Sequence, residues 1–321
     1  MTEKAEPPKQ ISVVVVSFNV RDLLSDCLFS VYEDARGLGV EIFVADNGSA
    51  DGSPDMVAAE FPMVRLIKNG KNLGFPKANN IVLRKILEER ASDYVLLLNP
   101  DMVLQDRTIE KLASHLDRNP HVAAVGPAFL LPDCSFQIGN GGFLPNVLTT
   151  YNYFFFLFKL FPRKAKSLYI DQAAFSGISV FVRVEWLSGG CLMIRRSVVE
   201  RIGPMNEEYF LYGEDLDWGR RMTRLGLSLH YLPSASVIHH HGATYDQAFR
   251  TVNTQWLKML FHYVRKERGL VEYVLAKAFA AAGFSLRLFI YGVLYLAKRD
   301  APTKTRLKRA FRFLTFSLTG I

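Results

Sequence analysis

Cysteine is scarce in this chain, with only Cys27, Cys134 and Cys191 among 321 residues. The number is odd, the spacing wide and no pair has metal-ligand spacing. This excludes a disulfide framework and a zinc-binding cysteine cluster, and points to reduced thiols in a cytosolic setting. The first ten residues, Met1 to Gln10, are polar, contain Pro7 and Pro8, and lack the apolar run of a signal peptide. They are expected to form a short disordered leader. No internal repeat and no low-complexity segment occurs, which excludes repeat arrays and compositional linkers.

What is present is a globular composition, 49% hydrophobic and 22% charged, ample for a buried core. The net charge of +8 is unevenly placed. Residues 250–321 carry 14 Lys and Arg against three acids, whereas the first 249 residues carry 25 basic and 28 acidic side chains. A basic tail suits nucleic acid or an anionic membrane. The tail's apolar content decides for the membrane, so no nucleic-acid partner is expected.

Strand and helix patterns alternate over the first hundred residues. Ile11–Ser17 is a β-branched run of the kind buried in parallel sheets. Helical spacing follows over Arg21–Asp34, then strand over Glu41–Ala45, helix over Ser53–Phe61 and strand over Val64–Lys68. A helix over Ala78–Arg90 precedes the apolar strand Tyr94–Leu98. This order predicts a doubly wound α/β sheet, whose ligands bind beyond the carboxyl ends of the strands. Asp46 and Asp101 fall at such ends. Further on, Tyr151–Phe161 is intensely aromatic, Trp186–Arg196 reads as a strand holding two glycines, and Ser197–Ile202 and Glu214–Leu225 read as helices. Leu229–Leu232 and Ala235–Ile238 read as two strands.

Four polar clusters are candidates for chemistry, and each has a plain structural alternative. Asp46-Asn47-Gly48-Ser49 is either a turn or a carboxylate aimed at a nucleoside. Asn99-Pro100-Asp101 is either a bend forced by proline or a seat for a hard divalent cation that bridges to phosphates. Glu214-Asp215 is either a charged first helical turn, favoured by the helix dipole, or a general base. His239-His240-His241 follows a strand, and alternation sends His239 and His241 to one side and His240 to the other.

Singly these signals are weak, but their order is specific. VSFN (Val16–Asn19), ADNGSADGS (Ala45–Ser53), NLGFPKANN (Asn72–Asn80) and LLLNPD (Leu96–Asp101) come first. WLSGGCLMIRR (Trp186–Arg196), IGPMNEEYFLYGEDLDWGRR (Ile202–Arg221) and HHHGAT (His239–Thr244) complete the series. From Ile11 to about Tyr245 the chain closely resembles the inverting family-2 glycosyltransferases of the GT-A fold. Within them it is most similar to the bacterial rhamnosyltransferases that build cell-wall and surface polysaccharides on lipid carriers.

The resemblance implies a nucleotide-sugar site lined by Ser17, Asn19, Asp46, Asn47, Ser49, Asn72, Gly74, Lys77, Asn79, Asn99, Gly189, Gly190 and Glu214. It implies Mg²⁺ or Mn²⁺ held by Asp101 and His239, with His240 as the alternative to His239, and Asp215 as catalytic base. Two departures stand out. Asn99 replaces the first acid of the family's D-x-D motif, which removes one negative charge from the cation site. Met205-Asn206-Glu207 replaces the common F-D-E. The implied donor is dTDP-rhamnose, or else another nucleotide sugar such as a UDP-sugar or one of galactofuranose type. The implied acceptor is a saccharide on a polyprenyl diphosphate. A sugar nucleotidylyltransferase would need a Gly-rich phosphate loop after the first strand, and Ser17–Arg21 contains no glycine. A membrane scaffold with a degenerate transferase domain fits poorly with Asp46, Asp101 and Asp215 all being present.

The expected organisation is therefore a leader (1–10), a GT-A catalytic domain (11–249) and a basic amphipathic helical extension (250–321). Trp256, Met259, Leu260, Tyr263 and Val264 mark one helical face, and Leu307, Ala310, Phe311 and Leu314 another. Ala278–Ala297 is 20 residues long with one charge, Arg287. That length permits a span, but a central arginine costs about 2.5–3.5 kcal/mol on insertion scales. Helices lying in an anionic interface at the cytoplasmic face of the cell membrane are expected in preference to a span. Packing on the catalytic domain, or on a second copy in a homo-oligomer, is the alternative.

Overall fold

The computed structural model describes residues 10–90, 92–175, 181–240 and 254–320. The chain packs as two units, one from residues up to 141 together with 175–245, the other from 142–174 together with 246–321.

The first unit is a sheet of nine strands. Strand β1 (Gln10–Ser17) lies between β2 (Gly39–Asp46) and β4 (Tyr94–Leu98), parallel to both, and β3 (Arg65–Lys68) extends the parallel half beyond β2. Ile11–Val15 and Tyr94–Leu98 are buried throughout, as continuous apolar runs covered on both faces must be. The helices on these faces are α1 (Arg21–Asp34), α2 (Ser53–Glu60) and α3 (Phe75–Glu89). Helix α1 buries Leu24, Cys27, Leu28 and Val31, a single stripe at helical spacing.

Helix α3 begins at Phe75, three residues before the expected start, because Pro76 supplies a preset first turn. The next stretch contains β5 (Met102–Gln105), α4 (Thr108–Arg118), β6 (Val122–Leu130) and the two-residue β7 (Gly141–Gly142). Strand β8 (Val182–Val184) precedes β9 (Trp186–Leu187) and β10 (Cys191–Arg195). The expected single strand at Trp186–Arg196 is thus broken by a turn at Ser188–Gly190. Strand β10 runs antiparallel to β4, so the sheet is mixed beyond its parallel centre. After α7 (Arg196–Ile202) and α8 (Glu214–Arg224), β11 (Ser228–His239) is one strand where two were expected. Its register on β6 shifts between Leu232 and Ser236, at Pro233, and the strand passes through this irregularity unbroken.

The second unit is helical. It contains α5 (Val147–Phe154) and α6 (Leu157–Leu160), with α9 (Gln255–Arg268), α10 (Leu270–Lys298) and α11 (Ala301–Thr319). Asn146 and Thr149 close a reciprocal capping box at the start of α5. Helix α9 buries Leu257, Leu260, Phe261, Tyr263 and Val264, a stripe displaced from the expected one, so that Trp256 and Met259 are only partly covered. Helix α10 has 29 residues and a window of mean hydropathy 1.6, and among the described residues it alone is long and apolar enough to cross a membrane. Arg287 on this helix is 9% exposed. Its Nη1 donates to the carbonyls of Phe154 (2.7 Å) and Gly283 (3.0 Å), and its Nη2 to that of Tyr153 (3.3 Å). The guanidinium lies 4.0 Å from the Phe156 ring centroid.

Candidate active site

The site is built at the carboxyl ends of the parallel strands. Ser17 ends β1, Asp46 ends β2, and the two are opposite in register. One carboxylate oxygen of Asp46, Oδ2, accepts from the amides of Gly48 and Ser49, each at 3.1 Å, which tightens the turn. The other, Oδ1, and the Ser17 hydroxyl are buried and have no hydrogen-bond partner among the described residues. Two adjacent orphaned polar atoms at strand ends cost free energy unless a ligand satisfies them.

Several of the expected ligands also bond to the scaffold. The Asn19 amide donates to Ser49 Oγ (2.9 Å), and Asn19 Oδ1 accepts from the Ala50 amide (2.7 Å). These two residues tie the β1–α1 loop to the β2–α2 loop. Asn47 Oδ1 accepts from Asn69 (3.0 Å), and Asn72 Oδ1 accepts from the Gly74 amide (3.0 Å). Asn79 is buried and donates back to the Phe75 carbonyl at 2.9 Å within α3. Lys77 is exposed on the first turn of the same helix.

Asn99 and Asp101 follow β4. The Asn99 amide donates to the Gly190 carbonyl at 2.7 Å, and the Asn99 carbonyl accepts from the Met102 amide (3.2 Å) and the Cys27 thiol (3.5 Å). Burial, with Asp101 nearby, pushes the Cys27 thiol up, so it stays protonated and can donate. Gly189 and Gly190 are small for a steric reason. A Cβ on Gly189 would lie 3.0 Å from the Phe75 ring, and one on Gly190 would lie 2.8 Å from Met102 Cε and 3.3 Å from Asn99 Nδ2.

Strand β11 runs beside β5 and places His239 opposite Met102. His239 Nε2 stands 3.4 Å from Asp101 Oδ1. His240 reaches the same residue through its backbone, its amide donating to the Asp101 carbonyl at 2.8 Å. Gln137 Oε1 lies 2.8 Å from His239 Nδ1. With the amide oxygen as acceptor, Nδ1 carries a hydrogen, and Nε2 is the ring nitrogen that faces Asp101. A carboxylate oxygen and an imidazole nitrogen so placed suit a divalent cation whose remaining positions are filled by phosphate oxygens and water. Among the described residues no third His, Cys, Asp or Glu joins them. His241 lies outside the described residues.

Glu214 and Asp215 open α8. Glu214 is buried, its Oε2 has no partner among the described residues, and burial beside Asp215 pushes its carboxyl well above the usual range. Asp215 is half-buried and is pushed up to about 6 by burial, against the pull of the Leu216 and Gly213 amides. The loop before α8 is joined to the loop before α3, since the Phe75 amide donates to the Phe210 carbonyl at 2.9 Å. Helix α8 also packs on the strand leading to Ser188–Gly190, where a Cβ on Gly219 would meet the Glu185 carbonyl oxygen at 2.4 Å. Asn206 Oδ1 caps the Glu208 amide at 3.0 Å, and Glu207 Oε1 accepts from Asn80 (3.0 Å) and Arg84 (2.6 Å).

Residues 7–257 match the family described as "Glycosyltransferase like family 2". The chain belongs to the family-2 glycosyltransferases. This transferase is 33% identical over 208 residues to an N-acetylglucosaminyl-diphospho-decaprenol L-rhamnosyltransferase of Mycobacterium tuberculosis, covering 63% of the chain and 66% of that relative. The aligned region therefore spans just under two thirds of the relative's length. A rhamnosyltransferase of Escherichia coli is 27% identical over 214 residues, covering 63% of the chain and 74% of that protein. Among solved structures, a mannosyltransferase from Pyrobaculum calidifontis in complex with GDP-Man and Mn²⁺ superposes with a TM-score of 0.59 at 17% identity, covering 97% of this chain and 86% of the other. Its likeness establishes the shared GT-A fold.

Three contributors to the transferase's site escaped sequence reasoning. Gln137 sits in a loop with no local signal, Cys27 reads as one more apolar position on α1, and Phe210 acts through its carbonyl. Only the fold brings them to His239, Asn99 and Phe75.

Proposed function

We propose that the protein is an inverting transferase that moves L-rhamnose from dTDP-rhamnose to a saccharide on a polyprenyl diphosphate, at the cytoplasmic face of a membrane. Support for the sugar and the lipid carrier comes from the relatives: one is named for L-rhamnose transfer to N-acetylglucosaminyl-diphospho-decaprenol. The observation that carries the chemistry is Asp215, a half-buried carboxyl pushed up to about 6 on a helix whose leading loop is bonded to the Gly74–Phe75 loop.

In this reading Asp46 Oδ1 and Ser17 Oγ receive the nucleoside, and Asn19, Ser49, Asn47 and Asn72 hold the loops that shape its pocket. Gly189 and Gly190 let the sugar approach the backbone. The acceptor hydroxyl loses its proton to an Asp215 carboxylate oxygen as its own oxygen bonds to the anomeric carbon. The bond from that carbon to the diphosphate oxygen breaks on the opposite face, its electron pair leaves with the nucleoside diphosphate, and configuration inverts. Burial beside Asp215 disfavours a second negative charge on Glu214. Asp101 and His239 would hold Mg²⁺ or Mn²⁺, which supplies charge stabilisation to the departing diphosphate when bound. The helices of the second unit supply the membrane contact.

The test is nucleoside diphosphate release from a panel of nucleotide sugars, with and without a short-chain polyprenyl-diphosphate N-acetylglucosamine acceptor. Release from dTDP-rhamnose that depends on the acceptor is expected, with the product anomer opposite to the donor's. Preference for another donor would overturn the rhamnosyl assignment. A retained anomeric configuration would overturn the mechanism.

A further inference from the structure

The segment 142–170 carries four basic residues, Lys159, Arg163, Lys164 and Lys166, and no acid. All four are exposed. In sequence they flank Leu160 and Phe161, which are 67% and 56% exposed. Two large apolar side chains presented side by side to solvent lose hydrophobic free energy for as long as they stay uncovered.

The tip is built, not frayed. The Phe161 amide donates to the Leu157 carbonyl (2.8 Å), and the amides of Lys164 and Ala165 donate to the Phe161 carbonyl (3.0 and 2.8 Å). Asn152 Nδ2 donates to the Lys166 carbonyl at 2.7 Å, and Arg163 Nη2 to the Ala174 carbonyl at 3.2 Å. The helix leading into the tip is anchored on α10. Tyr151 stands edge-on to Phe279 at 5.4 Å, and Arg287 holds the carbonyl end of α5.

We propose that Lys159–Lys166 is a membrane-inserting tip, in which Leu160 and Phe161 enter the headgroup layer of an anionic bilayer and the flanking Lys and Arg side chains meet lipid phosphates. The inference rests on the membrane reading given above and adds to it an element outside the C-terminal tail. The occupant follows from the charge. Four cations without an acid complement an anionic surface, and apolar side chains set among basic ones are the pattern of interfacial anchors.

The experiment uses the full chain and vesicles of phosphatidylcholine alone or mixed equally with phosphatidylglycerol. Cys134 is exposed while Cys27 and Cys191 are buried, so Cys134→Ser with Phe161→Cys gives one accessible thiol for an environment-sensitive fluorophore. A blue shift and intensity rise with the mixed vesicles, much weaker with phosphatidylcholine alone, are expected. Leu160→Ser with Phe161→Ser should lower partitioning to mixed vesicles by roughly tenfold or more, since it removes most of the tip's apolar surface. Lys159→Glu with Lys164→Glu should do so at low salt and lose its effect as salt rises. These positions are exposed, and far-UV circular dichroism of each variant should match wild type. If wild type sediments with mixed vesicles while the fluorophore is unmoved and both double variants bind equally well, the tip is overturned and the tail alone carries the membrane contact. If wild type stays in the supernatant, the membrane reading falls and takes the tip with it. A spectral change that needs no lipid but follows protein concentration would identify a contact between copies and also overturn the proposal.

Discussion

His239 Nε2 faces Asp101 Oδ1 at 3.4 Å, with Gln137 behind the imidazole at 2.8 Å. A carboxylate oxygen and an imidazole nitrogen brought together in this way can share a proton or a cation. Asp101→Ala and His239→Ala are therefore expected to weaken Mn²⁺-supported donor binding strongly. Gln137→Ala should weaken it by roughly 10-fold to 100-fold, the usual cost of losing a hydrogen bond behind a metal-binding histidine. His240→Ala should have little effect, because only its backbone amide reaches Asp101. Titration of Mn²⁺ by electron paramagnetic resonance, with donor present, checks all four. Equal binding by Asp101→Ala and wild type would remove the cation from this place.

The Glu214–Asp215 pair predicts two unequal isosteric substitutions. Asp215→Asn should lower kcat by about 10² to 10⁴-fold, as for removal of a general base. Glu214→Gln should retain most activity, because burial beside Asp215 already disfavours the charged form of Glu214 and the amide stays neutral. Asp215 must be ionised to accept a proton and is pushed up to about 6. Activity should then rise with pH to a plateau above that value. Stability runs the other way: a carboxyl raised above its unfolded value of 3.8 favours folding while protonated, and that contribution is lost as pH rises from about 4 through about 6. Steady-state pH profiles of wild type and Glu214→Gln test the assignment. An acid limb that survives in Asp215→Asn would sink it.

How much of this was legible in the sequence follows from where each signal is stored. Ile11–Ser17 and Tyr94–Leu98 announce central strands because burial on both faces writes continuous apolar runs. Asp46 and Asp101 announce themselves by following such runs. The pairing of His239 with Asp101 depends on β5 and β11 being neighbours, with the end of β11 at His239 lying 137 positions after the start of β5 at Met102. Periodicity within either strand cannot carry that. Asn19, Ser49 and Asn79 read as ligands from their motifs, and each also makes a hydrogen bond to a loop or helix that the motif does not announce. Residue type marks what a side chain can bond, and only the fold decides which bonds remain open. Arg287 looked like an obstacle to membrane burial for the same reason: its partners on α5 lie more than 130 residues away.

Gly219 and Gly292 form a matched pair of glycine-to-alanine tests. At Gly219 an added Cβ would meet backbone, 2.4 Å from the Glu185 oxygen and 2.9 Å from Trp186 Cα, and neither can swing aside. Gly219→Ala should destabilise by about 1–3 kcal/mol. It should reduce kcat further, because the displaced helix carries Asp215. At Gly292, inside α10, nothing lies within 4 Å of the added Cβ. Gly292→Ala should stabilise by about 0.5–1 kcal/mol through helix propensity. Thermal melts and turnover of the two variants decide, and an unperturbed Gly219→Ala would mean that α8 does not pack on Glu185–Trp186.

Arg287 gives the prediction whose sign is most informative. If the middle of α10 met lipid hydrocarbon directly, a charge there would cost about 2.5–3.5 kcal/mol, and Arg287→Leu would strengthen both stability and membrane retention. The observed contacts argue for the opposite. Arg287 donates to three carbonyls, two of them at the end of α5, where the Tyr153 carbonyl also accepts from the Phe156 amide and the Phe154 carbonyl is past the helical ladder. It also stacks on Phe156, which stands at φ 62°, in the left-handed region that a bulky residue seldom adopts. Arg287→Leu removes every side-chain donor at once and takes from the Phe154 carbonyl its 2.7 Å partner, a loss of roughly 1–3 kcal/mol. Arg287→Lys keeps the charge but not the planar fork, and should fall between leucine and wild type. Hydrogen exchange in detergent gives the position as well as the size of the effect. Amides of α5 and α6 should lose protection in Arg287→Leu, while those of β1 and β4, in the other unit, should keep theirs. Increased protection of α5, or tighter membrane retention than wild type, would show that the guanidinium serves no carbonyls and that α10 faces lipid at its centre.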